Sequence, residues 1–344
     1  MKFGARKTLF LLINIASWSY LVLLIGWILL HFLTGDQIPY LALANFLIVY
    51  LFIPLPLVLL AALVVRSRSL GTGFAIGAVT FLLLWGPQFT PRLQRPHAEG
   101  LTLTVMTYNV LAWHTYTQPV IETIRAQYVD VVCFQELNHT LAEAVSTELK
   151  EEFPYQILEP VDSPSGIGVI SRFPIHRTGE RLPLLWVGGP QVLELEWNGQ
   201  SVTLVNIHMV PNTRLATTPV IDPPIRLREA QARELVALAR RSSPIIIAGD
   251  ANSAPLNEAT RIITRELRDS WREAGFGLGH TFPGSTIPGS DRPRIGNNRY
   301  VPPWLARIDY VFHSKEWVTV SAKLAPFDRV SDHRGVIAVL KLKK

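Results

Sequence analysis

The chain has 344 residues, with 33 basic and 27 acidic side chains and one cysteine. That length exceeds what one hydrophobic core usually needs, so two units are expected, and the lone Cys133 excludes an intramolecular disulfide or a cysteine-built zinc cluster. The charge is uneven: up to Pro96 there are seven basic residues against Asp36 alone, a net +6, while the remainder holds 26 of each sign and is neutral. The pI of about 9.5 therefore belongs to the N-terminal region. A nucleic-acid-binding domain normally carries its own basic excess, and its absence counts against a tight, non-specific DNA-binding surface.

Three apolar stretches open the chain, at residues 9–32, 40–65 and 70–85. About 20 apolar residues span the hydrocarbon of a bilayer. The first two pass that test, the second with Pro54 and Pro56 inside it; the third is shorter and Gly-rich, at the limit of a span unless it extends to Phe89. The first run is too long for the apolar core of a cleaved signal peptide, and a second follows almost at once. Lys2, Arg6 and Lys7 precede the first stretch, and Arg66 and Arg68 follow the second; Arg92 and Arg95 follow the third. Five basic residues against two favour a cytoplasmic N-terminus. Three spans would then place everything after about Pro91 outside the cytoplasm. Residues 1–90 are thus expected to form a multi-pass membrane anchor, residues 91–100 a Pro-containing linker, and residues 101–344 a soluble domain.

In that domain short β-branched runs bounded by Gly, Pro, Asn or Asp predict strands. They lie at 103–107, 129–134, 168–171, 192–197, 202–207, 245–248, 308–313, 318–322 and 336–340. Asn198–Gly199 predicts a two-residue hairpin turn. Helical spacing predicts helices at 120–127, 141–151, 226–241 and 258–267, with Pro223–Pro224 marking the entry to the third. Arg226 and Arg228 are expected on its solvated face. Many strands with a few helices predict two sheets packed face to face with helices outside.

Several of these strands carry a polar cluster at one end: Thr107–Tyr108–Asn109, Gln135–Glu136, Asn206–Ile207–His208, Asp250–Ala251–Asn252, Arg307–Ile308–Asp309 and Ser331–Asp332–His333. A single polar strand end is usually a turn or a cap. Six in one domain are expected to meet at one sheet edge. Carboxylates, amides and two histidines together suit a hard, oxygen-preferring cation such as Mg²⁺, which can polarise a phosphoryl oxygen. An Asp can activate water, and a His can donate to the phosphate or the leaving group. A His- and Cys-rich zinc set is missing.

On these residues the chain, from Leu101 to Leu342, resembles the endonuclease/exonuclease/phosphatase superfamily of DNase I-like nucleases, apurinic endonucleases, neutral sphingomyelinases and inositol polyphosphate 5-phosphatases. The resemblance implies a four-layer α/β/β/α sandwich and hydrolysis of phosphate esters with Mg²⁺ or Mn²⁺. It implies Glu136 as the principal metal ligand, with Asn109 ordering metal and phosphate and Asp332 a second metal-side carboxylate. Asp250 would activate water, Asn252 would bind a phosphate oxygen, and His333, paired with Asp309, would contact the scissile phosphate. His208 matches a catalytic histidine of the DNase I-like members. Thr281, in Gly279–His280–Thr281–Phe282, matches an element lining the phosphate site.

The catalytic core does not choose the substrate. The anchor and the neutral domain favour a lipid-linked phosphate or pyrophosphate at the outer leaflet, and the layout resembles membrane-anchored bacterial members proposed to act on undecaprenyl pyrophosphate. The Pro- and Gly-rich stretches 210–224 and 283–304 are expected to form the pocket rim. The alternative is an anchored extracytoplasmic nuclease acting on DNA or RNA.

Overall fold

The first apolar stretch forms one long helix, α1 (Lys2–Thr34), of which Arg6–Thr34 is long and apolar enough to cross a membrane. The computed structural model describes residues 2–90, 101–211, 222–284, 294–295 and 299–343; the expected linker and most of the two expected rim loops lie outside these. Contacts divide the chain into two units, Met1–Thr90 and Pro91–Lys344.

In the first unit α1 is followed by α2 (Pro39–Leu47), a 3₁₀ turn (Ile48–Phe52), α3 (Leu55–Val65) and α4 (Arg68–Phe89). The second stretch is not the continuous span expected from composition. It breaks before Pro54, and its two halves meet at a bend of 49°. Pro54 and Pro56 lack the N–H that would continue the ladder and crowd the preceding turn, so they fit only at the start of a new helix. The third stretch, by contrast, extends to a 22-residue helix long and apolar enough to span. α4 packs closely through Gly73 and Gly77, where a Cβ would lie 2.4 Å from Leu21 Cδ1 and 2.8 Å from Leu55 Cδ1. Small residues four apart let membrane helices approach in this way.

The second unit contains β1 (Thr102–Asn109), α5 (Gln118–Arg125), β2 (Val131–Gln135), α6 (His139–Glu148), β3 (Tyr155–Glu159), β4 (Ile167–Ser171), β5 (Ile175–Arg177), β6 (Gly188–Trp197) and β7 (Gln200–His208). There follow α7 (Asp222–Arg241), β8 (Ile245–Asp250), α8 (Glu258–Thr264), β9 (Arg268–Asp269), α9 (Ser270–Ala274), a two-stranded ribbon of β10 (Arg294–Ile295) and β11 (Arg299–Tyr300), β12 (Asp309–His313), β13 (Trp317–Leu324) and β14 (Val336–Leu342). One six-stranded sheet has the order β13-β14-β1-β2-β4-β3 and the other β5-β6-β7-β8-β12-β9. Asn198 and Gly199, both at positive φ, turn the β6–β7 hairpin.

Three apolar clusters make four layers. Leu103, Val105, Val131, Cys133 and Val169 of one sheet meet Leu193, Leu204, Ile246, Ala248 and Val311 of the other. The outer face of the first sheet is covered by Val120, Ile121 and Ile124 of α5 and Leu141 and Val145 of α6. That of the second is covered by Leu235 and Leu238 of α7 and Ile263 of α8. Alternating strand residues supply the two faces of each sheet, which yields the α/β/β/α sandwich. Inside it, Asn206 on β7 ties the sheets together. Its amide donates to Phe134 O (3.0 Å) and Gly168 O (2.9 Å), and its Oδ1 accepts from Gln135 Nε2 (2.7 Å).

Candidate active site

Each sheet has a parallel pair at its centre, β1 with β2 and β7 with β8. Parallel neighbours end at the same edge, so Asn109 and Glu136 emerge together from one sheet and His208 and Asp250 from the other. In the second sheet, register places His208 opposite Asp250 and Asp250 opposite Asp309. Three functional side chains thereby share one row across adjacent strands. Gly249 allows this row to pack: it has φ +155°, and a Cβ there would lie 2.0 Å from Ile207 O.

Asn109 joins the two sheets at this edge. Its Nδ2 donates to Glu136 Oε1 (3.1 Å) and to Asp250 Oδ2 (3.2 Å). Glu136 sits one residue past β2 with φ +59°, a conformation that a side-chain-bearing residue adopts only when its surroundings hold it. Here the Ala112 N–H donates to its Oε2 (3.2 Å). Asp250 Oδ1 accepts from the Asn252 N–H (2.7 Å), and Asn252 itself is fixed at φ +46° by donating to Met209 O (2.9 Å).

His333 is 4 % exposed, with Nδ1 2.9 Å from Asp309 Oδ2 and Nε2 3.9 Å from both Asp250 Oδ2 and Asp332 Oδ1. Burial alone would discourage its charge, but the Asp309 carboxylate outweighs it and holds the imidazolium well above the usual histidine range. His208 goes the other way. Burial, reinforced by cationic His333, lowers it to about 4, so its ring is neutral at pH 7. Its Nδ1 lies 3.2 Å from Pro164 O, which leaves Nε2, 3.6 Å from Asp250 Oδ2, as the lone-pair side. Asp250 is raised by burial and by the neighbouring Asp309 carboxylate.

The donor set fits a hard divalent cation. Asp250, Asp309 and His333 offer ligand atoms within 4.8 Å of one another. Asp309 Oδ1 is buried with no hydrogen-bond partner among the described residues. Beside them, Asp332 is raised to about 6 by burial, with Glu136 adding like-charge repulsion. Carboxylates crowded out of water call for a positive partner. His333 Nδ1 is already engaged by Asp309 Oδ2, and Asn109 Oδ1 accepts from the Leu111 N–H (3.2 Å), so the carboxylate oxygens of Glu136 and Asp332 and the unpartnered Asp309 Oδ1 are the more available donors.

The structure thus gathers Asn109, Glu136, His208, Asp250, Asn252, Asp309, Asp332 and His333 at one edge. Thr281 is close by but fully buried, and its Oγ1 accepts from the Ile308 and Asp309 N–H groups (3.1 and 3.4 Å). This hydroxyl supports the start of β12 instead of facing the open phosphate site expected from its motif. Arg228 is not on a solvated face: it is 3 % exposed and donates to Val210 O (2.9 Å), whereas Arg226 is exposed. Arg307 is also internal, bonded to both oxygens of Asp269 (3.0 and 2.7 Å) and stacked over Tyr310.

Sequence reasoning assigned no role to Ser331 or Asp328. Ser331 Oγ donates to Asn109 O (2.7 Å) and accepts from the His333 N–H (2.9 Å), locking the last loop to β1. Asp328 accepts from the Val330 and Ser331 N–H groups (2.9 and 3.0 Å) and from the buried Tyr108 hydroxyl. An Asp three residues ahead of a Ser is the signature of such a turn.

Solved structures share this fold at low sequence identity. An endonuclease/exonuclease/phosphatase from Beutenbergia cavernae aligns with a TM-score of 0.52 at 20 % identity, over 70 % of this chain and 72 % of that one. Truncated Caenorhabditis elegans TDP2 aligns with a TM-score of 0.51 at 15 % identity, over 70 % and 98 %. Sphingomyelinase C from Streptomyces griseocarneus aligns with a TM-score of 0.50 at 19 % identity, over 70 % and 99 %. No individual curated protein matches the chain. The model of the Endonuclease/Exonuclease/phosphatase family matches residues 106–333, and the chain belongs to that family of divalent-metal-dependent phosphoester hydrolases.

Proposed function

We propose that this protein is a membrane-anchored hydrolase of a lipid-linked phosphate or pyrophosphate, working with Mg²⁺ or Mn²⁺ at the outer leaflet. The observation that carries this reading is the pairing of membrane-length apolar helices with a catalytic unit whose charges cancel. A nuclease of the same fold would need basic side chains to hold a polyanion.

In this reading Glu136, Asp332 and Asn109 hold the cation, which when bound offsets charge on the scissile phosphate. Asp250 accepts a proton from the attacking water, and neutral His208, 3.6 Å from Asp250, adds no positive charge beside it. Asn252 presents its amide to a phosphate oxygen. His333, kept cationic by Asp309, stabilises the negative charge that grows on the phosphoryl group. Asn109 aligns the two sheets so that the water-activating and cation-holding halves stay in register.

The basic residues favour a topology in which the bent α2–α3 pair counts as one span. Arg66 and Arg68 then share the cytoplasmic side with Lys2, Arg6 and Lys7, and the catalytic unit lies outside. A re-entrant pair would put Arg66 and Arg68 outside, against that rule.

The test is direct. Detergent-solubilised protein with Mg²⁺ or Mn²⁺ is assayed against a polyprenyl pyrophosphate, a glycerophospholipid and plasmid DNA, with His333→Ala as the blank. Turnover of a lipid phosphate that is absent in the blank supports the proposal. Cleavage of DNA with every lipid phosphate left intact refutes it and makes the protein an anchored nuclease.

A further inference from the structure

The edge that carries the site also carries exposed apolar side chains, most of them on uncharged loops, the Val161 loop holding one carboxylate, Asp162. Trp113 is 63 % exposed, Tyr116 57 %, Val161 43 % and Leu185 71 %. Each belongs to a loop fastened to a site strand. Ala112, beside Trp113, donates its N–H to Glu136. Val161 donates to Leu137 O, next to Glu136, and Pro164 in the same loop faces His208. Val187, two residues after Leu185, donates to His208 O (3.2 Å). A fourth loop approaches through Trp304, whose carbonyl faces His280 Nδ1 (2.7 Å) and whose ring meets Phe327 edge-on.

The composition of these loops separates them from the rest of the surface. Residues 110–117, 182–187 and 301–306 contain no Asp, Glu, Lys or Arg at all, in a unit otherwise dense in both signs. Exposed Tyr128 and Tyr155 sit at the other end of the sheets, at the starts of β2 and β3, among Arg125, Glu148, Lys150 and Glu152. A lone exposed aromatic among charges is ordinary surface. A neutral rim of Trp, Tyr, Leu and Pro around a polar cleft is not, because Trp and Tyr favour the headgroup layer of a membrane.

We propose that this edge is a bilayer-docking rim, in which Trp113, Tyr116, Val161 and Leu185 enter the interfacial layer of a phospholipid membrane around the mouth of the active site. The inference builds on the lipid-substrate reading and gives it a mode of access. The chain supplies the argument for a bilayer as occupant: its own N-terminal helices are long and apolar enough to cross one, and residues 110–117, 182–187 and 301–306 carry no basic group for a nucleic acid, Arg334 being stacked over Trp304. A phosphate at headgroup depth would meet the cleft without its lipid tail leaving the membrane.

The single native thiol makes this measurable, because Cys133 is fully buried and withheld from labelling. Full-length Trp113→Cys, Leu185→Cys and Tyr128→Cys are each labelled with a fluorophore. Each is reconstituted in phosphatidylethanolamine–phosphatidylglycerol vesicles doped with spin-labelled phosphatidylcholine. All three native side chains are exposed, so the substitutions leave the core untouched. Quenching several-fold stronger at 113 and 185 than at 128 is expected. Equal quenching at the three positions, or none, overturns the proposal and leaves the rim to a protein partner. Hydrolysis of a polyprenyl pyrophosphate in the same vesicles is scored separately. Selective quenching without turnover keeps the docking rim and removes the lipid-substrate reading; turnover without selective quenching does the reverse.

Discussion

The Asp269–Arg307 pair under the start of β12 makes a sharp prediction about which partner the fold can spare. Both side chains are buried, at 5 % and 1 % exposure, and they share two hydrogen bonds. Breaking a buried ion pair by removing one partner typically costs about 3–5 kcal/mol. The two removals are not equivalent here. Asp269→Asn keeps the α9 cap, which uses Oδ1 to accept from the Trp271 and Arg272 N–H groups, but it strands a guanidinium that cannot lose its proton. The amide keeps at most the neutral Oδ1 contact to Nη1, and beyond it the Tyr310 ring, 4.5 Å away, faces that cation. Arg307→Met strands a carboxylate that keeps two N–H donors and can be neutralised by a proton. Asp269→Asn should therefore cost the full amount and Arg307→Met about half. For a unit of this size, at about 2–4 °C per kcal/mol, that is a drop on the order of 10 °C for Asp269→Asn. Asp269→Leu combined with Arg307→Met should recover most of the loss, since well-packed apolar replacements of buried pairs are often neutral. Thermal unfolding of the full chain in detergent, followed by circular dichroism, reads all three. If Arg307→Met proves as damaging as Asp269→Asn, the pair is not what holds this corner.

Three further predictions concern the site and its surroundings. His333→Ala should lower kcat about 10²–10⁴-fold; Asp309→Asn, which keeps the ring but removes its partner charge, should lower kcat by less and leave KM nearly unchanged. Chelation with EDTA should abolish turnover and Mg²⁺ or Mn²⁺ restore it, and Glu136→Gln should raise the Mg²⁺ concentration required by about 10–100-fold, the scale seen for groups around metal sites; activity in EDTA would refute the metal assignment. Away from the site, burial works against the Glu273 carboxylate. His313, the Thr319 N–H (3.1 Å) and Arg268 (2.9 Å) nevertheless hold it down at about 2. Its folded value lies below the ordinary ~4.3. Its stabilisation is therefore complete above that ordinary value and disappears as pH falls from there to about 2. Glu273→Gln should be less stable than the parent at pH 7 and converge with it near pH 2; a constant difference across that window would exclude this origin.

What the sequence disclosed divides along a physical line. The long strands were legible because β-branched runs ended at Gly, Asn or Asp, and their polar ends named Asn109, Glu136, His208, Asp250 and Asp309 before any coordinates. Their convergence followed from the parallel centre of each sheet. Short elements were not legible: β5 and β9, of three and two residues, carry too little pattern to exceed a turn. Nor was burial of long polar side chains. Arg228 looks like a surface residue until Val210 O is placed beside it by folding, and Arg307, which stands next to Asp309 in the chain, turns instead to the distant Asp269. Thr281 was recognised by its motif, but only geometry shows its hydroxyl bonded to backbone amides. The break at Pro54 was visible as a residue and invisible as a bend, because proline in a membrane helix can kink it or end it.

The position of β14 bears on how the catalytic unit is completed. This last strand lies between β13 and β1, pairing Val336–Lys341 with Thr107–Thr102. The first strand of this unit thus waits for β14 before its inner edge is covered. An uncovered apolar edge is an invitation to foreign strands, and domains fold as they emerge. Truncation before Val336 should therefore cost solubility as well as activity: it removes His333's loop from its anchorage and leaves β1 open. The His333 loop lies just ahead of β14, so the site edge of the first sheet is held together by a pairing between residues more than 200 positions apart.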